Sequence, residues 1–197
     1  MTSSKKKPGF VRIIGGEWRG RRLPVVDLAG LRPSGDRARE TLFNWLQQDI
    51  RGTRCADLFA GTGVLGLEAY SRGAAEVTLV ENMPLAVQAL RAALVKLNHP
   101  GSKAGLHLAE TDALKWLQLR ERGSLDIVFM DPPFGSRLET QAMNLLVHRE
   151  LVSPGGFVYI ETSRNTPPCH PGLGWDIAKE KTLGQVRMLL LKNIADD

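Results

Sequence analysis

The chain has 197 residues, 43% of them apolar and 24% charged, with a formal net charge of +5. That balance excludes a disordered or fibrous chain and suits one globular domain with a full core. The pI of about 9.5 fits a polyanionic partner such as nucleic acid, or simple solubility.

No apolar run approaches the roughly 18 residues of a membrane-spanning helix. The opening "MTSSKKKPGF" lacks the apolar stretch of a signal peptide, so a cytoplasmic location is expected. Cys55 and Cys169 are the only cysteines and imply no disulfide framework. Cys55 sits in an apolar run and is expected to be a buried small hydrophobe. Cys169 beside His170 is too little for a metal site, and no metal is expected.

Lys5, Lys6 and Lys7 form a basic tail able to touch phosphates. Val11–Ile14 and Arg21–Val26 are expected as two short strands around a Gly15-Gly16 turn. They display Arg12, Arg19, Arg21 and Arg22 around Trp18. Arginine binds phosphate and both residue types stack on bases, so this hairpin suits RNA contact; a solvated edge hairpin is the alternative. Pro33, Ser34 and Gly35 make a turn, and Asp36 is placed to cap the next helix. Ala38, Leu42, Trp45 and Leu46 fall on one face of that helix, with Arg37 and Arg39 on its other faces. Cations at a helix N-terminus oppose the macrodipole, which points to an outside partner, either RNA phosphate or a surface carboxylate.

From Cys55 onward strands and helices alternate. "CADLF", "EVTLVE", "GLHLAE", "LDIVFMD" and "GGFVYIET" are strands. The helices between them are Gly63 to Arg72, Pro84 to Leu97, Ala113 to Arg122 and Leu138 to Arg149. Val87, Leu90, Leu94 and Leu97 stripe the second helix; Leu138, Ala142, Leu145 and Leu146 stripe the last. "GWDIAKEKTLGQVRMLLLK" is strand, turn and strand. The repeated unit predicts an α/β fold with a parallel sheet, helices on both faces and an antiparallel finish.

Open parallel sheets bind ligands at the carboxyl ends of their strands. Asp57 and the loop Gly61-Thr62-Gly63 end the first of these strands, and Glu81 the second. The third leads to Asp112, and the fourth ends in Asp131-Pro132-Pro133-Phe134. The spacing Gly61-x-Gly63-x-x-Gly66 suits NAD or any other cofactor with an adenosine end. Glu81, about twenty residues on, is placed for ribose hydroxyls. Asp112 is placed for the adenine amino group or for a helix cap. Two features argue against NAD: Asp57 ahead of the loop, and "DPPF" at the end of the fourth strand, for which a hydride-transfer enzyme has no obvious use. A carboxylate ahead of the loop repels pyrophosphate but welcomes a cation, and S-adenosylmethionine carries a sulfonium and an ammonium.

"DLFAGTGVLGLEA", "VTLVE" and "DPPF" together resemble the class I, seven-stranded, Rossmann-like S-adenosylmethionine-dependent methyltransferases. "DPPF" matches the motif of those that methylate amino nitrogens of nucleic-acid bases. With "RIIGGEWRGRRLPV" and "LRPSGDRARETLFNWL" added, nearly the whole chain resembles the bacterial RsmD family, which methylates guanine N2 in small-subunit ribosomal RNA. The one departure noted is Ser34 in place of an expected Thr, which keeps the hydroxyl.

The resemblance implies residues 1–50 as an RNA-contacting extension and 51–197 as the methyltransferase domain. It implies a cofactor seat of Asp57, Phe59, Ala60, Gly61, Thr62, Gly63, Glu81, Asn82, Met83, Asp112 and Ala113. It implies catalysis by Asp131, Pro132, Pro133 and Phe134, and RNA contact by Arg12, Arg19, Arg21, Arg22, Arg37 and Arg39. S-adenosylhomocysteine would be the product, and the protein is expected to act as a monomer on ribosomal RNA, free or in an assembling subunit. An adenine-N6 DNA methyltransferase and a non-catalytic RNA-binding assembly factor remain as alternatives. A DNA enzyme would usually carry an added target-recognition domain.

Overall fold

The computed structural model describes residues 9–24, 35–97, 105–133, 136–167 and 172–194. A two-stranded antiparallel hairpin, β1 (Phe10–Arg12) and β2 (Arg22–Pro24), precedes helix α1 (Asp36–Trp45). There follow β3 (Arg54–Asp57), α2 (Val64–Ser71), β4 (Glu76–Glu81), α3 (Pro84–Lys96), β5 (Leu106–Glu110) and α4 (Ala113–Gln118). The chain continues through β6 (Leu125–Met130), α5 (Leu138–His148), β7 (Val152–Ser163), β8 (Trp175–Leu183) and β9 (Val186–Asn193).

Strands β3 to β9 form one seven-stranded sheet in the order β5-β4-β3-β6-β7-β9-β8. β5 to β7 run parallel, and β9 and β8 add antiparallel. The chain first winds outward from β3 to β5 and then crosses back to β6. The β3–β6 boundary is therefore the topological switch point, where a crevice opens outside the strand ends.

Strand side chains alternate between the two faces. Cys55, Leu79, Phe129 and Tyr159 pack on one side against Leu42 and Phe43 of α1, Leu67 of α2 and Leu90 of α3. Ala56, Val80, Val128, Met130 and Ile160 pack on the other against Trp116 of α4 and Met143 and Leu146 of α5. Val11, Ile13, Trp18 and Leu23 join the first cluster without a break, so one apolar core holds the hairpin and the sheet.

Four expectations change. Gly15-Gly16 is not the hairpin turn: Gly20 N–H donates to Ile13 O, and the chain reverses after residue 16. Gly16 instead docks on α2. Its φ is +75°, and a Cβ there would sit 1.8 Å from the Ser71 carbonyl oxygen, which only glycine escapes. Asp36 does not cap α1. Gly35 holds the cap position with no side-chain bond, while the Asp36 carboxylate turns to Arg39 at 2.6 Å and Arg12 at 3.6 Å. Helix α4 stops at Gln118 rather than Arg122. Arg149 donates to the carbonyls of Leu117 and Arg120, so the end of α4 is held from another helix. Trp18 is buried and packs against Tyr70 with ring centroids 5.1 Å apart, which removes it from any base-stacking surface.

Glu68 of α2 ties the hairpin and α1 to the sheet. It is fully buried and accepts the N–H groups of Ile14 and Gly15, both at 2.7 Å. It also accepts Arg72 Nε at 2.8 Å and lies 3.7 Å from the buried Arg39 guanidinium. Removing one member of such a set leaves charges and donors unpaired in the interior, at about 3–5 kcal/mol. Glu68→Ala is therefore expected to lower the free energy of unfolding by that amount, seen as a lower urea midpoint with little change in slope. A loss under about 1 kcal/mol would show that the buried network contributes little.

Candidate active site

The carboxyl ends of β3, β4, β5 and β6 open onto a cavity of about 670 Å³. From β3 and its loop come Asp57, Phe59, Ala60, Gly61 and Thr62. From β4 come Glu81, Asn82 and Met83; from the β5–α4 turn, Asp112 and Ala113; and from the end of β6, Asp131, Pro132 and Pro133. Four strand-end acids expected from the sequence thus share one wall. Phe134, Cys169, His170, Ser34 and the lysines Lys5 to Lys7 lie outside the described residues.

The loop after β3 is shaped by glycine and held by acids. Gly63 has a φ of +74°, and a Cβ there would approach Leu90 Cδ2 to 2.6 Å. Gly66 lets α2 lie against β4, since a Cβ would meet Leu79 Cδ2 at 2.3 Å. Asp57 is 1% exposed and accepts the Gly66 N–H at 2.9 Å. Burial pushes the Asp57 carboxyl up to about 7; the Gly66 N–H works against this, and the charge of Glu81 adds to it. Glu81 accepts Gly61 N–H through Oε2 at 2.8 Å, and the N–H groups of Asn82 and Met83 through Oε1. These bonds lock the β4 turn to the glycine loop.

Asp112 does cap its helix. Its Oδ1 accepts the N–H groups of Leu114 and Lys115, both at 3.0 Å, while the residue still lines the cavity. Asp131 is half-buried, Pro132 buried and Pro133 exposed.

The arginines divide. Arg19 and Arg22 are exposed. Arg21 is exposed and donates to the Leu97 carbonyl at 3.0 Å. Arg12 is exposed and joins Asp36, whose neighbour Arg37 stands at the cavity rim. Arg39 is a correction: it is fully buried, donating to the Arg12 carbonyl and pairing with Asp36 and Glu68, so it supports the surface without belonging to it.

Most of the rest of the wall carries no signal in the sequence pattern. Gly35 and Ala38 of the α1 start, Thr111, and Glu161, Leu183, Gln185 and Val186 of β7 and the β8–β9 turn all line the cavity. Glu161 carried a signal of the same kind as Asp131, an acid interrupting an apolar strand near its carboxyl end, but "YIET" continues as strand through Ser163.

A family model described as "Conserved hypothetical protein 95" matches residues 11–192. The Ribosomal RNA small subunit methyltransferase D of Haemophilus influenzae is 42% identical over 186 residues, spanning 94% of this chain and 95% of that protein. Its namesake in Escherichia coli K12 is 42% identical over 198 residues, 96% of each chain. The solved structure of the yhhF protein from Escherichia coli superposes with a TM-score of 0.82 at 38% identity, covering 95% of this chain and 100% of that one.

Asp57 makes the stability of the fold pH-sensitive. Its folded value is raised from 3.8 to about 7, so the folded state binds more protons than the unfolded state in that window. Stability is therefore full below the lower value and is lost as pH rises through the upper one. Asp57→Asn keeps an oxygen for the Gly66 N–H but carries no charge. The melting temperature of Asp57→Asn should gain on the parent between about pH 4 and pH 7 and level off above. A difference that stays flat with pH would contradict the raised carboxyl.

Proposed function

The chain is 42% identical over nearly its whole length to two Ribosomal RNA small subunit methyltransferases D and so belongs to the RsmD family, and we propose that it transfers a methyl group from S-adenosylmethionine to the N2 amine of a guanine in small-subunit ribosomal RNA. The observation that carries the reading is Asp131-Pro132-Pro133 opening into the same cavity as Asp57, Glu81 and Asp112.

The donor set fits S-adenosylmethionine better than a dinucleotide. A pyrophosphate at the glycine loop would meet the buried Asp57, whereas an ammonium group would relieve its raised protonation. When bound, S-adenosylmethionine supplies an electrophilic methyl group on its sulfonium sulfur. Glu81, fixed by three backbone N–H groups, would hold the ribose hydroxyls through its remaining lone pairs. Thr111 and Asp112 would flank its adenine end, and Asp57 would face its ammonium group.

Asp131 and the Pro132 carbonyl perform the acceptor-side work. An exocyclic amine is a weak nucleophile because its lone pair is spread into the base. Asp131 and the Pro132 carbonyl accept its two hydrogens, favour a pyramidal nitrogen and aim the lone pair at the methyl group. The Asp131 carboxylate then stabilises the positive charge that grows on nitrogen. Prolines have no N–H, so the turn keeps its carbonyls available and its backbone stiff. Phe134, next in sequence, offers a face on which a flipped-out base can stack. Arg19, Arg21, Arg22 and the rim residue Arg37 serve the phosphate backbone.

Asp131→Ala is expected to lower methyl transfer by about 10²–10³-fold, the usual scale for losing one preorganised electrostatic group, while S-adenosylmethionine still binds in calorimetry. Lost cofactor binding with unchanged turnover of the bound fraction would contradict the role. Replacing Arg19, Arg21 and Arg22 by Gln should weaken RNA binding and flatten its dependence on salt, by a slope of about one per phosphate contact removed. An unchanged slope would move the RNA surface elsewhere.

A further inference from the structure

Asp131 and the Pro132 carbonyl select an amine, but an amine is common to guanine, adenine and cytosine. A second acid stands beside them. Strands β6 and β7 pair in parallel, with Phe129 opposite Tyr159 and Met130 opposite Ile160. Continued by one residue, that register sets Glu161 abreast of Asp131. Glu161 is only 3% exposed, yet it lines the same cavity as Asp131, Pro132 and Pro133.

Its carboxylate is held in place. The Tyr159 hydroxyl, itself buried, donates to Glu161 Oε1 at 2.6 Å. Burial first, then the charges of Glu161 and Asp131, keep the Tyr159 hydroxyl well above the usual phenol range, so it stays a donor. A buried acid near a second acid costs stability that an apolar residue would not. Its place on the wall, abreast of Asp131, sets it beside any base whose amine reaches Asp131.

Resting on the reading of guanine-N2 methylation, we propose that Glu161 is a specificity-determining residue: its carboxylate accepts the N1–H of the target guanine while Asp131 and the Pro132 carbonyl hold the neighbouring amine. Guanine presents two adjacent donors, N1–H and the N2 amine. Adenine presents a lone pair at N1 beside its amine. An ionised carboxylate can only accept, so it attracts the first edge and repels the second. Glu161 thus supplies the rejection of adenine that the Asp-Pro-Pro turn lacks.

The test uses small-subunit RNA ligated from synthetic pieces, with guanine or 2-aminopurine at the position the enzyme methylates. 2-Aminopurine keeps the N2 amine but has a lone pair at N1. The parent enzyme should prefer guanine in kcat/KM by about 10²-fold or more. Glu161→Gln, whose amide can donate to N1, should shrink that preference by at least about tenfold with S-adenosylmethionine affinity unchanged. Tyr159→Phe, which removes only the hydroxyl holding Glu161, should shift it the same way by less. Equal use of both bases by the parent enzyme would overturn the proposal whatever the variants do. An undiminished preference in Glu161→Gln, or a defect confined to cofactor binding, would overturn it too. If the parent enzyme forms no N2-methylguanine even on the natural RNA, the underlying reading fails instead.

Discussion

A carboxylate with no exposure survives in a folded protein only when its partners are complete. Glu68 has partners from the hairpin connection (Ile14 and Gly15), from α1 (Arg39) and from its own helix (Arg72). The helix that carries it begins at the glycine loop, at Val64 just after Gly63. One rigid element therefore has the glycine loop at its start and the docked N-terminal extension along its flank. The exposed arginines and the cavity are registered to each other through this charge, the Trp18–Tyr70 contact and Gly16 on Ser71. Arg37, one residue from Asp36 and its pair with Arg12, then stands at the rim.

The sheet contributes the rest of the geometry. The crossing from β5 back to β6 leaves a gap between the ends of β3 and β6, and Asp57 and Asp131 stand on its two sides. Glu81 and Asp112 extend the wall along β4 and β5, away from Asp131; Glu161 extends it along β7, beyond Asp131. On the proposed function, strand order alone separates a donor half of the cavity from an acceptor half. Holding two reactants in one orientation on rigid strand ends is itself a large part of the expected rate enhancement.

Much of this was legible in the sequence because it rests on local rules. Period-two and period-3.6 patterning predicted every strand of the large sheet and the helices between them, and acids at strand ends marked the cavity. What escaped depends on partners far away in the chain. Arg39 looks like a surface cation by sequence, but Glu68, 29 positions on, draws it inside. Trp18 looks like a displayed aromatic until Tyr70 covers it. Asp36 sits where a cap is expected, yet two arginines compete for its carboxylate and win. The end of α4 is set by Arg149, which no window around residues 113–122 contains. Glu161 was hidden because its strand runs on past it, so it did not count as a strand end.

The cofactor seat and the Asp-Pro-Pro turn would act together in one chemical product. The decisive measurement supplies labelled S-adenosylmethionine with unmodified small-subunit ribosomal RNA, the assembled subunit and DNA, and then identifies the methylated nucleoside by mass spectrometry. Guanine-N2 chemistry at Asp131 requires N2-methylguanosine in the ribosomal RNA, free or assembled. Label found as N6-methyladenine in DNA, or no transfer to any of the three, would contradict it.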